Sequence, residues 1–154
     1  MATRAAIDEF LAQDRLALVG LSRDAKSFSH SVYRELVDHG YDVTPVNRWA
    51  DTIVGAPCVR SIAELPDGIG GVIVMVDADH AAQVVQECAD RGITRVWLHK
   101  GVGASSVSDA AIALAHDRGL AVIDGACPLM FVAHPGLVHR LHRRELHLTG
   151  RLPA

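Results

Sequence analysis

LALVGLSRDAKSFS, residues 16–29, decides how the rest of the chain folds. A four-residue apolar run ends on Gly20, a polar stretch follows, and helical spacing begins beyond Ser27, with Val32, Leu36 and Val37 on one stripe. That order is strand, tight turn, helix. A run apolar at every position reads as a strand buried on both faces, as parallel strands covered by helices are. The turn at the head of the helix then has backbone N–H groups and the positive end of the helix dipole at its disposal, which suits an anion.

Outward from this unit the pattern repeats. Apolar runs recur as DVTPV at 42–46, GVIVMV at 71–76, RVWL at 95–98 and LAVI at 120–123. Between them, Ala82, Val85, Cys88 and Ala89, and then Ala111, Leu114 and Ala115, have helical spacing. His39-Gly40, Arg91-Gly92 and Arg118-Gly119 each put a cationic or titratable residue and then glycine at a helix end. Asp79, and the Ser105/Ser106/Ser108 cluster with Ser106 and Asp109 at capping-box spacing, are the expected helix starts. Residues 51–66 break the rhythm with Gly55-Ala56-Pro57 and Glu64-Leu65-Pro66. They are expected to form a loop, a short extended piece near Cys58-Val59 and one helical turn. Helices are expected over about 4–13, packed across the sheet, and about 136–146, closing the chain. The whole predicts one domain over 1–154: a doubly wound α/β fold with a mostly parallel five-stranded sheet and helices on both faces.

Composition agrees with that class and excludes others. Half the residues are hydrophobic and a fifth charged, too apolar for disorder, and the net charge of −3 gives no whole-chain case for nucleic acid or membrane. No apolar run approaches the roughly 20 residues that span a bilayer. The acidic residues near the start speak against a signal peptide. Cys58, Cys88 and Cys127 are odd in number and widely spaced, so a reducing cytoplasm is the expected location. The tail is basic, with Arg140, Arg143, Arg144 and Arg151 against Glu145. It reads as a solvated helix face, or as the surface through which a homodimer or partner protein docks. His134, His139, His142 and His147 lie there too, but metal binding needs three or four ligands and a second shell, and no metal is assigned.

In an open parallel sheet the ligand sits beyond the carboxyl ends of the strands. In the first loop, Gly20 allows close approach, Leu21 follows it, Ser22, Ser27 and Ser29 offer hydroxyls, and Arg23 and Lys26 add charge. The result is a diphosphate cradle with neither the Walker pattern nor three fingerprint glycines. In the second loop, Asn47 and Arg48 stand where an NAD site has an acid, and arginine suits the ribose phosphate that both NADP and coenzyme A carry. Trp49 either stacks on adenine or pins to the sheet edge. The third loop brings Asp77, Asp79 and His80. The fourth runs from His99 through Lys100, Gly101 and Gly103, where Lys100 meets a phosphate or carboxylate or is solvated. In the fifth, Cys127 either faces the crevice, able to form a mixed disulfide with a ligand thiol, or is buried and inert. No serine–histidine–acid set and no paired carboxylates stand on one element, so no catalytic residue is assigned.

Five segments, ALVGLSRDAKSFSHSV (17–32), LVDHGYDVTPVN (36–47), TIVGAPCVRSIAELP (52–66), RVWLHKGV (95–102) and CPLMF (127–131), together resemble the small stand-alone bacterial CoA-binding proteins. These are akin to the CoA-binding domain of the succinyl-CoA synthetase alpha subunit. The resemblance implies a Rossmann-like fold that binds coenzyme A or an acyl-CoA without catalysis, for sensing or regulation. It implies phosphates against Gly20, Ser22, Arg23 and Lys26, the adenosine ribose at Asn47 and Arg48, adenine at Val76, and the inner crevice at Lys100 and Gly101. The chain departs from the usual pattern at Arg48 (commonly proline), at Asp77 and Asp79 (commonly arginine) and at His99 (commonly glutamine). The phosphohistidine domain of the synthetase is missing, so acyl-CoA ligation is not expected. An NADP-dependent oxidoreductase or redox sensor, and an interaction subunit with a degenerate nucleotide cleft, are the competing readings.

Overall fold

The computed structural model describes residues 2–101 and 104–132. The expected helix at 136–146 and the tail histidines lie outside them. The elements run α1 (Arg4–Leu11), β1 (Arg15–Val19), α2 (Phe28–Asp38), β2 (Asp42–Val46), β3 (Thr52–Ile53), β4 (Ala56–Pro57), β5 (Gly71–Val74), α3 (Ala78–Asp90), β6 (Arg95–Gly101), β7 (Ala104–Ser105), α4 (Asp109–Asp117) and β8 (Ala121–Ala126). Short 3-10 turns lie at Ile62–Glu64 and Pro128–Met130.

Five strands form a parallel sheet in the order β2-β1-β5-β6-β8, and β7 adds a short antiparallel piece to β6. Alternation along each strand divides the core in two. Ala17, Val72, Val74, Val96 and Leu98 face α3 and α4, while Leu16, Leu18, Ile73 and Trp97 face α1 and α2. With both faces covered, every residue of β5 is buried, which is why these strands read as continuous apolar runs. Trp97 is fully buried, meets Phe10 of α1 edge-on at 5.3 Å between ring centroids, and donates its indole N–H to the Ala126 carbonyl at 2.9 Å. The largest apolar side chain thereby has its one polar atom satisfied.

The glycine stops are in place, with Gly40, Gly92 and Gly119 at φ of 85°, 81° and 71° after α2, α3 and α4. Helix starts differ from expectation. Asp77, not Asp79, occupies the N-cap of α3, and Asp79 lies in the first turn. Ser108, not Ser106, caps α4 by accepting from Ala111 N. In each case two capping residues stand two apart in sequence. The buried stripe of α3 is Ala81, Val84, Val85 and Cys88, one position round from the expected one at Ala82 and Ala89. Residues 51–66 hold more structure than expected. β3 and β4 make a hairpin across Val54-Gly55, both at positive φ, and Val59 bridges to Val46 beside β2. The single helical turn is there at Ile62–Glu64.

From β1 the chain moves to one side to make β2, then crosses back to make β5 on the other. The switch point therefore lies between the carboxyl ends of β1 and β5, the place where open α/β sheets bind their ligands.

Candidate functional site

Gly20 stands at the switch point. Its φ is +96°, and a Cβ there would lie 2.5 Å from the Met75 carbonyl oxygen and 3.0 Å from Val76 N. The two strand ends approach so closely that only glycine fits the first position of the loop.

Beyond Gly20 the loop is held by its own side chains. Ser22 N donates to Ser29 Oγ at 3.0 Å, Asp24 N to Ser22 Oγ at 3.0 Å, and Lys26 N to Asp24 Oδ1 at 3.0 Å. Ser27 is the N-cap of α2, and its hydroxyl also meets that of Ser29 at 2.9 Å. His30, in the first turn of α2, reaches back to the Ser22 carbonyl through Nε2 at 2.6 Å. Leu21 is fully buried, and its carbonyl accepts from Asn47 Nδ2 at 2.9 Å, which ties the second loop to the first. Ser27 and Ser29 thus shape the turn with hydroxyls already engaged. Arg23 and Lys26 are exposed and have no ion pair among the described residues. The result is a preformed turn at a helix N-terminus, carrying two exposed cations that form no ion pair among the described residues, with the Asp24 carboxylate engaged by the Lys26 backbone N–H.

The second loop continues outward from Asn47, which accepts Trp49 N on Oδ1 at 2.8 Å. Arg48 is exposed, and the Trp49 indole is 73% exposed rather than pinned to the sheet. Both side chains are open to a ligand on that rim. Val76 lies just past β5, half-buried, with its carbonyl accepting the hydroxyl of the buried Ser106.

The expected fourth loop is instead the end of β6. Lys100 pairs with Ser105 and Gly101 with Ala104, so the rim there is a β-ribbon. Lys100 is exposed, whereas His99 is only 2% exposed. The β6–β8 register shifts at Leu98/His99, the kind of irregularity that re-aims a side chain. The His99 ring lies 5.8 Å from that of Phe28, the first residue of α2. Gly101 is what makes room for it, since a Cβ there would sit 2.7 Å from Cε1. Burial pushes the His99 imidazole below its ordinary pKa, so the ring is neutral at pH 7. Its Nε2, like Nδ1 of His30, is buried with no hydrogen-bond partner among the described residues.

On the fifth strand's rim Cys127 is buried, and burial pushes its thiol above its ordinary pKa. Burial pushes Cys88 up to about 12. The structure brings Gly20, Arg23, Lys26 and Asn47 together in the two loops beside the switch point, and it buries His30 there, a residue the sequence did not single out. The sequence marked His99 only as an unusual residue, because no local pattern tells which face of a strand end a histidine takes.

The fold defines a Rossmann-like α/β domain with a glycine-led turn at its switch point. Residues 14–133 match the CoA binding domain family, and the chain belongs to it. It is 30% identical over 133 residues to the uncharacterized protein YneT of Bacillus subtilis, covering 86% of this chain and 94% of that one. It is 24% identical over 138 residues to the ADP-forming acetate–CoA ligase II subunit alpha of Pyrococcus furiosus, covering 85% of this chain but only 30% of that subunit. A solved hypothetical protein from Pyrococcus horikoshii superposes with a TM-score of 0.75 at 28% identity, over 94% of this chain and 92% of that one. No helix among the described residues is long and apolar enough to cross a membrane.

Proposed function

We propose that this domain holds coenzyme A, free or acylated, and performs no chemistry on it, serving as a sensing or regulatory module. The observation that carries the reading is the first loop. In a member of the CoA binding domain family, Arg23 and Lys26 make no ion pair among the described residues and stand beside the N-terminus of α2, next to a glycine whose position a side chain would strain. The diphosphate would lie on Gly20, Ser22, Arg23 and Lys26, with Ser27 and Ser29 holding the turn that presents them. Asn47 and Arg48 would meet the ribose and its 3′-phosphate, and Val76 the adenine, with Trp49 free to stack on it. Lys100 and Gly101 would line the inner crevice. Because the chain spans 30% of the ligase subunit, acyl-CoA ligation is not part of the reading.

Calorimetry against coenzyme A, dephospho-CoA, NAD and NADP tests it. Coenzyme A should bind most tightly, and removal of its 3′-phosphate should weaken binding about tenfold if Arg48 makes a charge-assisted hydrogen bond. Absence of binding at millimolar coenzyme A, or tighter binding of NADP, overturns the reading. The second of these results would favour the oxidoreductase or redox-sensor alternative.

A further inference from the structure

Ser22 is held at each of its three polar groups. Its N–H donates to Ser29 Oγ at 3.0 Å, its hydroxyl accepts from Asp24 N at 3.0 Å, and its carbonyl accepts from His30 Nε2 at 2.6 Å. A carbonyl can only accept, so Nε2 is the donor in that bond whether or not the ring is charged. His30 is 5% exposed, and its other ring nitrogen, Nδ1, has no partner among the described residues. A leucine on the buried side of α2 would fill similar space without stranding a nitrogen. What the imidazole adds is its hold on the Ser22 carbonyl. The consequence falls on the next residue. The Ser22–Arg23 peptide is trans, so the Ser22 carbonyl and the Arg23 N–H point to opposite sides of one rigid plane. With the carbonyl drawn toward a buried ring, the Arg23 N–H turns toward the exposed side of the loop, where it makes no hydrogen bond among the described residues. The Ser29 bond fixes the peptide plane before Ser22; among the described residues, only the His30 bond fixes the plane after it.

We propose that His30 is the positioning residue of the first loop: by holding the Ser22 carbonyl it aims the Arg23 amide outward, and that N–H meets a diphosphate oxygen of the ligand. The inference rests on the coenzyme reading above and adds which backbone donor the loop offers and what orients it. A flipped Ser22–Arg23 peptide would present a carbonyl oxygen to the anion in place of an N–H, turning attraction into repulsion. The flip would also leave His30 Nε2 buried without its acceptor, so the same bond that aims the amide opposes its reversal. His30 itself touches no ligand in this arrangement; it acts through the backbone of Ser22.

Calorimetry and amide 15N NMR on the full chain test this, with coenzyme A and dephospho-CoA as probes, since both carry the diphosphate. In the unaltered protein both should move the Arg23 amide resonance. His30→Leu, which keeps bulk and removes the donor, should weaken both ligands by the same factor, about tenfold for one charge-assisted hydrogen bond. His30→Gln, whose side-chain amide can donate from near the position of Nε2, should restore most of that loss, a separation that a packing role would not produce. An unchanged affinity in His30→Leu, equal losses in the Leu and Gln variants, or a loss for coenzyme A that spares dephospho-CoA overturns the positioning role while coenzyme A binding stands. Should His30→Leu fail to fold, the Arg23 resonance of the unaltered protein still decides, because an amide that bound coenzyme A leaves unmoved overturns the assignment. Failure of the unaltered protein to bind coenzyme A at all removes the coenzyme reading and this inference with it.

Discussion

The two rims of the crevice satisfy their polar groups in opposite ways. On the β1 side, the hydroxyls of Ser22, Ser27 and Ser29, the Asp24 carboxylate and the Asn47 amide accept or donate within the loop pair, so the turn has its shape before any ligand arrives. What it leaves unspent is charge, on Arg23 and Lys26. On the β6 side what is left unspent is a hydrogen-bonding nitrogen, His99 Nε2, buried with no partner among the described residues. A rigid cationic turn suits a group whose shape and charge are constant, such as a diphosphate. A buried nitrogen without a partner works by penalty, since whatever packs against it without completing it leaves it bare.

The comparison breaks most severely at Gly20. Gly20→Ala would force a side chain into the left-handed region and onto the Met75 carbonyl, and should destabilise the domain by about 3 kcal/mol through backbone strain and displacement of β5. Urea unfolding reads this directly. Gly101→Ala, whose new methyl meets only the edge of the His99 ring, should be milder. Equal effects at the two glycines would mean that the β1 rim is no more constrained than the β6 rim.

A smaller effect, confined to binding, should come from the unspent charges. Arg23→Ala with Lys26→Ala removes two exposed side chains that make no ion pair, so stability should stay within about 0.5 kcal/mol. Coenzyme A affinity should fall at least tenfold, or about 1.4 kcal/mol, with a flatter dependence on salt. An unchanged affinity would show that the loop amides alone carry the phosphates, or that the ligand lies elsewhere.

How much of this was legible in the sequence follows from what each feature depends on. The strands were readable because both faces of the sheet are covered, which leaves runs such as GVIV with no polar position to confuse the period. Gly40, Gly92 and Gly119 were readable because helix termination is local chemistry. The first loop was readable because Gly20 and the cations are contiguous, although the bonds that consume Ser29 and Asp24 are not. His99 could not be placed from the run RVWLHKG, where the strand continues to Gly101 and doubles back through β7. The register shift that sets its direction involves Ala126, 27 positions along the chain. His30 depends on a carbonyl eight residues earlier. A long-range ladder and a turn's exact path decide both histidines, and neither leaves a periodic trace.

The smallest effect sharpens the β6 side alone. Burial lowers the His99 pKa in the fold, so as pH falls through the ordinary histidine range the unfolded chain takes up a proton that the folded ring refuses. Stability should therefore be highest above that range and decline below it, by no more than about 1.4 kcal/mol per pH unit for one proton, until the folded ring titrates too. The quantity to measure is the difference between the unaltered protein and His99→Gln across pH 7.5 to 5.5. That difference should shrink as pH drops, because the variant has nothing at this position to protonate. A difference that instead grows on acidification would mean that the folded ring holds a proton more firmly than the unfolded one. His99 would then belong with the cations of the β1 rim and not in contrast to them.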